Sequence, residues 1–338
     1  MAFPLLKLPS LAYEQVLLNF HVSDLVDFSL LSSRCQRIIQ SIRFPFTAVY
    51  VCATNNFNMF RLFLGTRHVA QWNFQRKPWK KELEAENELR QIGGIGIRIQ
   101  KTPRWVSNHT PAIQMKVAYD YVQSLFHLPV FGYSFAENRQ KLFPQALGIT
   151  KCDELRMRTP HKIPNDELKY VLEKVEVSKV LILDLKKNDD FECCFVQFSM
   201  DKLEINQAFW ITKETFLAMD CARIQLEGNG NLPIQEFVSQ WLSSRSTRFE
   251  SLKMTRSSQE INWNEGFKTM KWNPAIRGRN FMIHDFKKLD CHNGIDILRD
   301  DGLLATVVQK YEWIYFVVWH KRFQPEADRL HLDYLYYM

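Results

Sequence analysis

The chain has 338 residues, 46% hydrophobic and 24% charged, a composition that excludes a wholly disordered or fibrous protein. Its net charge of +7, from 44 Lys+Arg against 37 Asp+Glu, permits acidic partners without demanding nucleic acid. The seven cysteines are odd in number and none forms a C-x-x-C pair, which argues against a disulfide framework or a zinc site and for a reducing, intracellular setting, cytoplasmic or nuclear.

The opening MAFPLLKLPS has no basic start, and Pro4, Lys7 and Pro9 interrupt its apolar stretch, so it does not read as a secretory signal. No run approaches the roughly 20 apolar residues of a membrane span. A first helix is predicted from Ser10, a good N-cap after Pro9, with Tyr13, Val16, Leu17 and Phe20 on one face. A second follows Ser23, with Asp24 in its first turn and Leu25, Val26, Phe28 and Leu30 as its apolar residues. A third starts near Ser32 or Ser33 and buries Cys35, Ile38, Ile39 and Ile42. Three helices in so short a stretch make a very small core, and units of this size are marginal without a staple or a partner. Leu5, Leu6, Leu8, Leu18 and Leu31 fall outside the helical stripes. Such excess apolar surface marks either a binding face or a contact with the rest of the chain.

Residues 3–43 carry Phe3-Pro4-Leu5-Leu6, Leu8-Pro9, Val16-Leu17, Asp24-Leu25, Phe28-Ser29-Leu30, Ser32, Arg34 and Ile38-Ile39. In order and spacing this resembles an F-box of the nematode type. The resemblance implies a module that binds a small Skp-type adaptor and, through it, a cullin scaffold. It also implies that Leu8, Pro9, Leu17, Leu25 and Leu30 lie at or near the adaptor interface. Periodicity places Leu17 and Leu30 equally in the module's own core, so Leu5, Leu8, Pro9 and Leu25 are the preferred contacts. Cys35 departs from the lysine or threonine common after the arginine in the family, as a small apolar substitute.

Phe44-Pro45-Phe46 ends the helical unit through a link short enough to couple it to the next part of the chain. Thr47 to Ala53, Met59 to Leu64 and Val69 to Phe74 read as strands. Arg76, Lys77, Lys80 and Lys81 surround Pro78 and Trp79. They form either a solvated loop before a charged helix from Lys81 to Gln91 or, with Trp72, a phosphate or nucleic-acid surface. Gly93-Gly94-Ile95-Gly96 lacks nucleotide-loop spacing and reads as a turn into a strand from Ile97 to Ile99.

From about residue 112 a rhythm sets in. Helix-like stretches (Ile113 to Phe126, Asp166 to Val175, Ile234 to Leu242) alternate with short apolar strands at Leu128 to Tyr133, Glu154 to Arg158, Val180 to Lys186, Leu203 to Ile205, Arg223 to Leu226 and Ser251 to Met254. Leu155, Leu181, Leu203, Ile224 and Leu252 recur at separations of 26, 22, 21 and 28 residues, the range of leucine-rich-repeat-like stacking, although the usual asparagine at the turn is not evident. The pairs Leu155/Met157, Leu181/Leu183, Leu203/Ile205, Ile224/Leu226 and Leu252/Met254 are predicted to point inward. The alternate residues Arg156, Arg158, Asp184, Lys186, Glu204, Asn206, Gln225, Glu227, Lys253 and Thr255 would form an open row, either a substrate face or simply a solvated one.

Towards the C-terminus, Gly294 to Arg299 and Leu303 to Gln309 flank Asp301-Gly302, a two-residue hairpin signal, and Trp313 to Trp319 reads as a buried strand. An antiparallel sheet here would cap the open edge of the repeat stack. Phe209-Trp210-Ile211, Arg223-Ile224-Gln225-Leu226, Gln240-Trp241-Leu242, Phe249-Glu250-Ser251-Leu252, Asp296 to Gly302 and Ala305-Thr306 look like an F-box-associated domain of type 2 over roughly residues 110 to 320. That resemblance implies presentation of a target for ubiquitylation. His284, Asp285, Asp290, Cys291 and His292 cluster in sequence without metal-ligand spacing and read as the rim of a hairpin.

The expected fold is therefore α+β, with α/β in its middle. A three-helix F-box over residues 1–45 precedes an F-box-associated domain over 46–338. The latter comprises N-terminal strands (46–110), a degenerate leucine-rich-repeat-like solenoid (111–260) and an antiparallel cap (261–338). The expected function is a non-enzymatic substrate-recognition subunit of a cullin-type ubiquitin ligase. Its partners would be a Skp-type adaptor, a cullin and a target protein, with no cofactor, metal or membrane. The alternatives are a basic nucleic-acid-binding protein using the Arg76–Lys81 loop, a scaffold that binds the adaptor without ubiquitylation, and an enzyme centred on His284 to His292.

Overall fold

The computed structural model describes residues 5–54, 58–74, 87–92, 95–100, 104–106, 110–136, 142–257, 261–284 and 287–320. The Arg76–Lys81 loop, Gly93-Gly94 and Asp285 lie outside these residues. Among the described residues the chain is α+β, with seven α-helices and mixed β-sheet. It divides into two compact units, Met1–Val177 and Ser178–Met338.

The first unit runs through a short 3-10 turn (Leu5–Lys7), α1 (Ser10–Leu18), α2 (Val22–Leu30), α3 (Ser33–Ser41), β1 (Ala48–Thr54), β2 (Asn58–Leu64), β3 (Arg67–Phe74), β4 (Asn87–Ile92), β5 (Ile95–Gln100), β6 (Arg104–Val106), α4 (Pro111–Phe126), β7 (Val130–Ala136), β8 (Lys151–Thr159) and α5 (Asn165–Lys174). The three helices fall where periodicity puts them, but only one predicted cap forms. Ser32 Oγ accepts the Cys35 amide at 3.2 Å and caps α3. At α1 the cap is Pro9, whose carbonyl takes the Ala12 and Tyr13 amides at 3.0 and 3.1 Å, so Ser10 already lies inside the first turn. α2 begins one residue before Ser23, with His21 as its cap.

Leu17, Leu25, Val26, Cys35 and Ile39 fill the small helical core. α4 anchors it. Ser29 Oγ lies 2.8 Å from Tyr121 Oη, and Gln40 Nε2 donates to Ser124 O at 2.9 Å. Phe44 and Phe46 stack at 5.6 Å, and each meets the Phe126 ring edge-on, at 5.5 and 5.2 Å. The link after the helices is thus a packed joint.

The strand order of this unit is β8-β7-β1-β2-β3-β6-β5-β4, with β1, β7 and β8 mutually parallel. Val49, Val51, Phe60, Leu62, Tyr133, Phe135, Leu155 and Met157 point to one buried face. There Tyr119 of α4 meets Phe60 at 6.2 Å and Phe143 stacks on Phe135 at 5.0 Å. The charged helix expected from Lys81 to Gln91 is not what forms over its described part. Asn87–Ile92 is strand β4, paired antiparallel with β5 from Asn87↔Gln100 to Ile92↔Ile95. A neighbouring strand satisfies this backbone and overrides a local preference worth only tenths of a kcal/mol per residue, roughly.

The second unit carries β9 (Glu176–Leu185, opening just before the boundary), β10 (Lys202–Asn206), α6 (Lys213–Leu217), β11 (Arg223–Leu226), α7 (Ile234–Ser243), β12 (Ser251–Thr255), β13 (Thr269–Lys271), β14 (Asn280–His284), β15 (Lys287–Asp290), β16 (Ile295–Leu298), β17 (Leu304–Lys310) and β18 (Trp313–Trp319). β9 to β12 are parallel and adjacent in chain order. Leu181, Leu203, Ile224 and Leu252 stand in one register row and Leu183, Ile205, Leu226 and Met254 in the next, all buried as predicted. Asn229, five residues past Ile224, donates to the carbonyls of Ala208 and Ile211 at 3.3 Å each.

β18, β17, β16 and β13 continue antiparallel from β12, so the edge of the parallel strands is covered. The Asp301-Gly302 connection is longer than a two-residue turn. Arg299 N donates to Leu303 O, and Gly302 N to Arg299 O, both at 2.9 Å. This leaves a three-residue loop closed by Gly302 at φ +87, where a residue without Cβ is needed.

Candidate functional site: protein-docking surfaces

The helical unit places the expected adaptor contacts unevenly. Leu17 and Leu25 are 0% and 1% exposed, because the helix turns of α1 and α2 aim them into the helical core. Leu25, a preferred contact, is a core residue here. Leu8 and Leu30 are half-buried, Pro9 is exposed, and Leu5 lies in the 3-10 turn. The apolar side chains that do face water are Leu11 at 74%, Leu31 at 71% and Phe20 at 37%. Phe20 was expected on the buried stripe, but α1 ends at Leu18 and the chain has turned by then. Leu11 was missed, although it lies off the Tyr13-Val16-Leu17 stripe, the criterion that singled out Leu31.

The polar row in the second unit is not open. Asp184, Glu204, Asn206, Gln225, Glu227, Lys253 and Thr255 are half-buried and largely satisfy one another. Asn206 Nδ2 donates to Asp184 at 2.8 Å, and Gln225 Nε2 to Glu227 at 3.0 Å. Lys253 Nζ pairs with Glu227 at 3.1 Å and sits 3.7 Å from the Trp313 ring centre. Glu204 pairs with Lys202 at 2.9 Å, and Thr255 Oγ1 accepts the Gly228 amide at 2.9 Å. Ile182, in register with Glu204, is buried, while Lys186 lies one residue beyond β9 and is exposed. Tyr315, in register with Lys253, packs with Phe281 and Leu289 of the β14–β15 pair and with Cys291 just after it. Burial, with Glu312 and Glu227 nearby, raises its hydroxyl pKa. Strand alternation was read correctly, but the covering of the outer face depends on residues far along the chain.

Arg156 and Arg158 belong to β8 of the first unit, on the sheet face opposite α4. Register places Glu154, Gly132, Tyr50, Arg61 and Gln71 in one row across five strands, and Arg156, Ser134, Cys52, Met59 and Asn73 in the next. Arg156 holds Glu154 at 2.9 Å. Arg61 Nε donates to Gln71 at 2.6 Å, and Gln71 Nε2 to Asn73 at 2.8 Å. The Tyr50 ring packs against Gly132, where a Cβ would come within 2.8 Å of it. Burial pushes the Tyr50 hydroxyl and the Cys52 thiol up, opposed by the Ser134 hydroxyl at both and by Arg61 at Cys52.

The His284–His292 segment separates into unrelated tasks. Asp290 pairs with Arg279 at 2.7 Å and accepts the His292 amide at 3.0 Å. Arg279 first, then that amide, holds the carboxyl well below its usual range. Burial raises the Cys291 thiol to about 12, and the His292 ring packs 4.6 Å from Trp272. Among the described residues no His, Cys, Asp and Glu group is placed to hold a metal ion, and no helix is long and apolar enough to cross a membrane.

No family model and no solved structure matches the chain. It is similar to two uncharacterized proteins of Caenorhabditis elegans, F59B2.8 and F59B2.9. Each is 23% identical to it, over 97% and 98% of this chain and 80% and 82% of theirs. A third uncharacterized protein of that organism, F54H12.5, is 21% identical over 94% of this chain and 93% of its own.

Proposed function

We propose that this chain is a substrate-recognition subunit of an SCF-type cullin ubiquitin ligase. Its N-terminal helices bind a Skp-type adaptor, and the remainder holds a target protein. The observation that carries the reading is a helical unit with a filled core that still turns Leu11 and Leu31 to water, within a segment whose residue order resembles an F-box. Exposed leucines on a unit that needs no further core are what a partner's apolar groove would cover. The chain would perform no bond chemistry of its own; it would raise the effective concentration of a target beside a ubiquitin-loaded enzyme.

The parallel strands β9 to β12 fit a short, degenerate leucine-rich-repeat-like stack within this reading. Their in-register leucine rows and the Asn229 bridge between successive turns support it.

Capture of a purified Skp-type adaptor by the full chain tests the function. The wild type is expected to retain the adaptor and Leu11→Asp/Leu31→Asp to lose it, with the thermal midpoint unchanged. Undiminished capture by the double variant would sink the reading.

A further inference from the structure

We propose that Cys193 and Cys194 form a two-thiol binding site for a soft, thiophilic centre, and that a trivalent arsenical with one organic group is the class that fits it. The site goes beyond the ligase reading and does not rest on it.

The segment between β9 and β10 sets up the pair. From Lys186 to Asp201 it forms neither helix nor strand. Val196, Phe198 and Met200 are buried, while Gln197 and Ser199 are exposed, so side chains there alternate between core and water. The alternation breaks just before Val196. Glu192, Cys194 and Phe195 are exposed, Phe195 at 57%, and Cys193 is half-buried. Both ends of this four-residue bulge are tied down. Phe191 meets Trp210 edge-on at 5.6 Å, and the Val196 amide donates to Thr215 Oγ1 at 3.3 Å. Two adjacent cysteines thus stand on an anchored, water-facing bulge, whereas Cys35, Cys52, Cys152, Cys221 and Cys291 are buried.

Covalent geometry and ligand count narrow what the pair can hold. Thiolates favour soft centres. Adjacent Cα atoms lie about 3.8 Å apart, below the span of about 4.4–6.8 Å usual across a disulfide. A direct S–S bond would therefore close a strained ring, and one bridging atom between the sulfurs relieves it. Zinc asks for at least about three protein ligands. Among the described residues no group of three His, Cys, Asp or Glu is placed to hold a metal ion. A trivalent arsenical with one organic group needs only the two thiols. Its As=O oxygen leaves as water with both thiol protons, and two As–S bonds form with no change of oxidation state. Adjacency makes the second bond intramolecular, which raises the effective concentration of the second thiol.

The test is intact-mass spectrometry of the reduced full chain with phenylarsine oxide in excess glutathione. One arsenical per chain is expected, resistant to the monothiol and released by 2,3-dimercaptopropanol. Cys193→Ser and Cys194→Ser should each lower its retention at least about tenfold with the thermal midpoint unchanged. Cys193→Ala and Cys194→Ala repeat the measurement where a serine shifts that midpoint. Retention that survives loss of either cysteine overturns the proposal, as does an adduct that peptide mapping places on a buried cysteine. Glutathione disulfide is added in a parallel arm. Conversion of the pair to an internal disulfide that no longer reverts in excess glutathione would overturn it in favour of a redox pair.

Discussion

Arg277 grips Asp296 with Nε 2.9 and 3.0 Å from the two carboxylate oxygens and Nη2 at 2.8 Å, both side chains being shut off from water. Thr306 Oγ1 adds a bond to the same carboxylate at 2.7 Å and accepts Trp319 Nε1 at 2.7 Å. Arg277 Nη2 also donates to Cys291 O at 2.9 Å. The pair therefore joins β16, β17 and β18 to the β14–β15 layer. Removing one partner strands a charge: Arg277→Ala is expected to cost about 3–5 kcal/mol in urea unfolding. The double variant Arg277→Met/Asp296→Leu, which strands none, should cost much less. Equal losses would show that packing, not charge pairing, carries the effect.

Leu25 and Leu31 lie six residues apart and should respond oppositely. Leu31→Asp on the surface is expected to change stability by less than about 0.5 kcal/mol. Leu25→Ala empties part of the helical core and should cost about 2–5 kcal/mol. Chemical denaturation followed by helical circular dichroism separates the two.

Phe126→Ala removes both edge-on contacts to Phe44 and Phe46. At about 0.5–1.5 kcal/mol for each aromatic contact, the loss should be about 1–3 kcal/mol. It should show as faster amide exchange in α3 and the Phe44–Phe46 joint before the sheet opens. Unchanged exchange there would mean that Gln40 and Ser29 suffice to hold the helices.

Arg299 donates to both oxygens of Asp301, at 2.8 and 2.7 Å, and this pairing lowers the Asp301 carboxyl to about 2. The unfolded value is about 3.9. A folded pKa that is depressed adds stability fully present above about pH 4 and lost as pH falls through about 2. Wild-type urea midpoints should therefore drop between pH 5 and 2.5 more steeply than those of Asp301→Asn. Parallel curves would refute the assignment.

Burial raises the thiols of Cys152 and Cys291 to about 12 and that of Cys221 to about 11. An unfolded thiol titrates near about 8.5, so folding loses stability as pH rises from there towards these values. At pH 8 a disulfide reagent should label exposed Cys194 quickly and these three only on unfolding. Fast labelling of Cys291 without unfolding would contradict its placement.

Repeating apolar spacing alone located α1 to α5, α7 and, in the second unit, β9 to β12 and β16 to β18 but not β13, β14 or β15, because helix and strand periods follow from local backbone sterics. It also assigned the inward leucines from Leu181 to Met254 correctly, since alternation in a strand requires no knowledge of the partner. Tertiary structure decided which apolar residues stay wet. Leu25 and Leu31 belong to the same leucine-rich stretch, and only the packing of α2 and α3 buries one and exposes the other. It likewise made a strand of Asn87–Ile92 by supplying β5, and half-covered the row from Asp184 to Thr255. Burial is a sum over neighbours distant in the chain, and a local pattern holds no information about them.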